Sequence, residues 1–106
     1  MLKGGDGAEG SFWLRHHDFS HIPPTVDFVA RTSSNNYYNQ APTPALNTWH
    51  LVVGTVSNSN MYWYIDAVLI DSTNNVPGLT TITNTDIVTV GTLQYQFVGK
   101  IDDIGI

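Results

Sequence analysis

The run WHLVVGTV (residues 49–56) and the two segments after it, SNSN (57–60) and MYWYIDAVLIDS (61–72), carry the period-two alternation of β-strands and none of the spacing of a helix. In the first run Trp49, Leu51, Val53 and Thr55 lie on one face and His50, Val52, Gly54 and Val56 on the other. Both faces are mostly apolar, which predicts a strand covered on both sides. SNSN reads as a hairpin loop. MYWYIDAVLIDS reads as a pair of short strands or one bent strand turning near Asp66-Ala67. Within MYWYI, Tyr62 and Tyr64 share one face and Met61, Trp63 and Ile65 the other, so one set is core. We assign Trp63 to the core and leave Tyr62 and Tyr64 as surface candidates.

Downstream, TNNVPG (73–78) is a turn, residues 80–85 are β-prone but Thr-rich, DIVTVG (86–91) is a strand, and FVGKIDDIGI (97–106) closes the chain. Upstream, SFWLR (11–15) is a strand candidate, followed by a polar stretch with three histidines and by Pro23-Pro24. Two successive prolines forbid ladder donation, so TVDFVAR (25–31) begins a new strand with Val26, Phe28 and Ala30 on one face. TSSNN is a turn, Tyr37-Tyr38 a short strand at most, and APTPALN a loop. The Gly-rich first ten residues have loop composition. Strands about ten residues apart with turn signals between them describe an all-β chain folded as an antiparallel sandwich or small barrel.

The 106 residues suit one domain, residues 1–106, with one core. Cysteine is absent, which removes disulfides, thiolate metal sites and cysteine nucleophiles. Only 12% of residues are charged and the net charge is −5, so the polar surface must be built from neutral groups. Ser, Thr and Asn supply 28 positions. With four Lys and Arg against nine Asp and Glu, the cationic footprint of nucleic-acid binding is missing, and anionic lipid heads are disfavoured for the same reason. No run is long enough to insert in a membrane, MLKGGDGAEG has no apolar segment of a secretory signal, and no N-x-S/T sequon occurs.

From Trp49 onward the motifs TWHLVVGTV (48–56), MYWYIDAVLIDS (61–72), IVTVG (87–91) and FVGKIDDIGI (97–106) resemble, in order, those of the laminin-G-like, concanavalin A-like jelly-roll superfamily. LKGGDGAEGSFWLR (2–15) is similar to the family's earlier segment, more weakly. The resemblance implies an antiparallel β-sandwich of jelly-roll type with Trp49 at a core position. It also implies structural roles for Asp66, Asp102 and Asp103, organising turns and backbone donors. Where the family has Asp-Gly at the hairpin this chain has Asp66-Ala67, which predicts a different turn or about 1 kcal/mol of strain. The chain also looks shorter than the family's domains. We therefore expect exposed sheet edges and self-association or docking on a larger assembly, the bland alternative being edges blunted by Pro42, Pro44 and Pro77.

Few carboxylates suit glycan hydrolysis: the single Glu, Glu9, sits in a Gly-rich loop, Asp102 and Asp103, adjacent on a strand, point to opposite faces, and only Asp66 with Asp103 is left as a pair the fold could bring together. We therefore expect no enzyme. His16, Asp18 and His21 are weak metal candidates, since their spacing matches no established motif and solvated loop histidines are the simpler reading. The resemblance makes Ca²⁺ a candidate ion, with Asp6, Asp18, Asp71 and several Asn as oxygen donors. Tyr37, Tyr38 and Asn39, in the uncharged loop of residues 35–40, together with Tyr62 and Tyr64, are the candidate ligand-binding residues. The expected function is a non-catalytic structural or recognition module of a larger extracellular or virion particle. Its alternative is a carbohydrate-binding, lectin-like domain taking a neutral glycan.

Overall fold

The computed structural model describes residues 2–4, 12–17, 23–32, 35–79, 88–90 and 99–105. Among them lie eight strands: β1 (Leu2–Gly4), β2 (Phe12–His17), β3 (Thr25–Arg31), β4 (Asn36–Pro42), β5 (Val52–Ser57), β6 (Asn60–Ile65), β7 (Val68–Thr73) and β8 (Val88–Val90). Every pairing is antiparallel. A five-stranded sheet runs β4-β3-β2-β1-β8, and a three-stranded sheet runs β5-β6-β7. No helix among the described residues is long and apolar enough to cross a membrane.

The core is the meeting of the two inner faces. Phe28, Ala30 and Ala41 from the larger sheet bury against Met61, Trp63 and Ile65 of β6, with Val76 and Leu79 from the segment after β7. Phe28 and Trp63 stack at 6.0 Å between centroids, and the indole N–H of Trp63 donates to the Val26 carbonyl at 3.2 Å. The largest core side chain is therefore both packed and satisfied. Gly54, opposite Trp63 in the β5–β6 register, lies under the same Phe28 ring: a Cβ there would come within 2.5 Å of it. This position needs glycine for close approach.

The bend near Asp66-Ala67 is a two-residue hairpin turn joining β6 to β7, with φ of 51° and 66°. Positive φ at both central residues is the requirement of a type I′ turn. Asn58-Ser59, with φ of 49° and 65°, closes the β5–β6 hairpin in the same way. The departure from Asp-Gly keeps the turn, so Ala67 carries its strain.

Several expectations are corrected. The strand predicted from Trp49 begins at Val52, and only one of its faces is covered: Val52 and Val56 pack on the core while Val53 is exposed. Trp49 is 64% exposed and Leu51 61%, so Trp49 is not a core residue. Both precede the strand, whose register with β6 starts at Val52↔Ile65. Residues 35–40, read as a loop, lie mostly in β4, which pairs with β3 from Arg31↔Asn36 to Thr25↔Pro42. Pro42 is tolerated because β4 is a sheet edge. The closing strand does not form over residues 99–105, which are exposed and outside any strand. Adjacent aspartates and Gly105 give that segment little β-propensity. Residues 80–85, Ile87, Gly91 and Phe97 fall outside the described residues.

Two of the edges expected to be open face each other. The Gln40 amide of β4 donates to the Asp71 carboxylate of β7 at 2.9 Å, and the Thr73 hydroxyl donates to the Asn39 side-chain carbonyl. This polar seam joins the two sheets along one side.

Candidate functional site

Two surfaces gather the residues that chemistry singles out. The first is the outer face of the larger sheet. Alternation along β2 places Trp13 and Arg15 on that face, and the register sets Trp13 and Tyr38 on either side of Val29, and Arg15 opposite Asp27. Arg15 donates through Nε at 3.0 Å and Nη2 at 2.8 Å to one oxygen of Asp27, whose side chain is fully buried. The guanidinium also lies 5.6 Å from the Tyr38 ring centroid. An ion pair shields the buried carboxylate, and the cation caps one aromatic face. Two strand spacings place Trp13 and Tyr38 about 10 Å apart. Tyr38 is 43% exposed, and its hydroxyl accepts from Asn36 at 3.3 Å.

The second surface is the outer face of the smaller sheet. Its rows are Val53, Tyr64 and Leu69, then Thr55, Tyr62 and Ser72, and the exposed Leu51 and Trp49 precede β5. A bulge on β7, opposite Trp63 and Tyr64, leaves Ile70 without a partner residue on β6. Val53, Leu69 and Ile70 are exposed, and Tyr62 and Tyr64 half-buried. At its end a hydrogen-bonded cluster fixes the chain before β5. The Asp66 carboxylate accepts from the Leu51 amide at 3.0 Å and lies 2.8 Å from His50 Nδ1, while the Asp66 amide donates to the Leu51 carbonyl at 2.8 Å. His50 Nε2 lies 2.8 Å from the Ala45 carbonyl. The hydrogen bond to Asp66, then the one to Ala45, raise the His50 pKa above the ordinary imidazole value. The bonds from His50 and the Leu51 amide hold the Asp66 carboxyl below its ordinary value.

The sequence candidates are thus divided. Tyr38 joins the first surface, and Tyr62 and Tyr64 the second. Tyr37 is half-buried and packs on the core, and Asn39 is fully buried between the sheets, bonded to Thr73, so Asn39 is closed to a ligand. Their inward parity on β4, alternating with Tyr38 and Gln40, is the physical reason. His16 is exposed with Nε2 3.0 Å from the Thr43 hydroxyl, while Asp18 and His21 lie outside the described residues. No three His, Cys, Asp or Glu converge among the described residues. Asp71 accepts the Gln40 amide on one carboxylate oxygen and the Ser72 amide on the other, and Asp6 lies outside the described residues. Sequence reasoning missed Arg15, Asp27 and His50. Their signal was present: Arg15 and Asp27 each interrupt the apolar pattern of a strand with opposite charge.

Two antiparallel layers with a Trp-centred core agree with one further observation. A family model described as the concanavalin A-like lectin/glucanases superfamily matches residues 3–106. The chain belongs to this superfamily. No curated protein and no solved structure matches it. The superfamily's description spans sugar binding and glucan hydrolysis. In this member Asp27, Asp66 and Asp71 are each engaged by Arg15, by His50 and Leu51, and by Gln40 and Ser72 respectively, while Asp102 and Asp103 are exposed outside the strands. Asp66 organises a turn and a backbone donor, as the resemblance implies.

Proposed function

We propose that this chain is a non-catalytic contact module that docks through the outer face of the β5-β6-β7 sheet, on a second copy of itself or on a component of a larger extracellular or virion particle. One observation carries the reading: Val53 and Leu69 are exposed on the outer face of one small sheet, around Tyr62 and Tyr64, and Trp49 and Leu51 are exposed on the chain that leads into β5. Apolar groups gathered on one face mark an interaction surface. The edge strand β5 adds to it, because VVGTVS carries no charge or proline to discourage pairing. The engagement of the strand carboxylates in turns and seams supports the non-catalytic part, because a glycosidase needs two carboxyl groups free to flank a bond. Light scattering on the eluting full chain tests this. Self-association that rises with concentration and is lost in Leu69→Lys is expected, whereas a wild-type monomer at every concentration contradicts self-docking.

A second reading, neutral-glycan binding, is favoured by the Trp13, Arg15 and Tyr38 platform. Aromatic faces stack on the apolar faces of sugar rings, and Arg15 Nη1, which has no partner among the described residues, offers donors to hydroxyls. A glycan array with and without Ca²⁺ tests it: binding lost in Tyr38→Ala supports the platform, and silence across the array rejects it.

A further inference from the structure

We propose that His50 is a pH-sensitive latch for the apolar face: as an imidazolium it ties the loop carrying Leu46 and Trp49 to the β6–β7 turn, and on losing its proton it frees the Ala45 end of that loop. The latch deepens, and in its effect on docking rests on, the contact reading above.

The geometry requires two donors from one ring. Nδ1 faces the Asp66 carboxylate and Nε2 faces the Ala45 carbonyl, each at 2.8 Å, and both partners only accept. A neutral imidazole has one N–H and one lone pair, so it serves one partner and turns a lone pair on the other. The charge-assisted bond to the carboxylate is the stronger, so Ala45 is the partner lost. The anchors at either end decide which part of the loop is released. On the β5 side Leu51 stays fixed by its two bonds to Asp66. On the other side the Thr43 amide donates to the Pro24 carbonyl at 3.1 Å. Between these anchors the chain turns through Asn47, at a φ of 58°, with Leu46 77% exposed, and the His50–Ala45 contact is its cross-brace.

The charged group facing His50 from the β6–β7 turn is Asp66. Among the described residues His16, reaching the Thr43 hydroxyl from β2, is the other titratable side chain that contacts this loop. Asp71 is turned to Gln40 and Ser72 instead. The raised His50 pKa agrees with the doubly bonded ring.

The test is NMR on the full chain from about pH 5.5 to about pH 8.5, the range in which imidazoles titrate, with sedimentation velocity on the same samples. The His50 ring and the heteronuclear NOEs of residues 46–49 are followed together. The expected result is a loss of order in residues 46–49 that tracks His50 deprotonation, with self-association weakening over the same range. His50→Gln, which does not titrate, abolishes the step, while His16→Gln keeps it. A wild-type loop whose order ignores pH, or a step that survives in His50→Gln, overturns the latch. A loop step in a chain that is monomeric throughout supports the latch and refutes docking on a second copy.

Discussion

Ala67 sits in the left-handed region, at a φ of 66°, where a Cβ crowds the following carbonyl and glycine does not. Ala67→Gly is therefore expected to raise stability by about 1 kcal/mol, less the entropy glycine adds to the unfolded chain. Denaturant melts check this, and a lower midpoint in the variant would refute the strain. His50 and Asp66 give a signed pH dependence. A raised imidazole pKa stabilises the fold below the ordinary value of 6.5, and that contribution fades as pH rises through the raised value. A lowered carboxyl pKa stabilises above the ordinary 3.8 and fades as pH falls through the lowered value. The pair contributes fully between these two ordinary values. Thermal melts should show its contribution greatest in that window, and the difference between wild type and His50→Gln should shrink on either side.

Among the elements, β5 and β3 lock together through Gly54 and Phe28. Gly54→Ala forces the ring to move, and overpacking of this kind costs about 1–3 kcal/mol. Phe28→Leu in the same background should recover part of that loss, and strictly additive losses would show that the two do not meet. The alternation of MYWYI made β6 legible, and with it the inward Trp63. The fate of β5 was not legible, because WHLVVGTV is apolar on both sides. Parity says which residues share a face and nothing about whether another layer covers it. Asn39 was beyond local reading for a similar reason. The Thr73 hydroxyl that permits its burial is 34 residues away on the other sheet.

For the whole molecule, the outer faces of the sheets differ in chemistry. The larger sheet presents an ion pair and two aromatic rings, the smaller one aliphatic and aromatic side chains. A net charge of −5 offers little repulsion against self-docking once one face is apolar. Tyr38→Ala should remove any glycan binding and leave self-association intact, and Leu69→Lys should do the reverse. An array and light scattering on both variants check that separation. Docking itself is probed at the side chains concerned by hydroxyl-radical footprinting of the full chain at low and high concentration. Protection growing with concentration at Trp49, Leu51, Tyr64 and Leu69, with Trp13 and Tyr38 unchanged, is the predicted result; reactivity at those four side chains that ignores concentration, or protection confined to Trp13 and Tyr38, would contradict it.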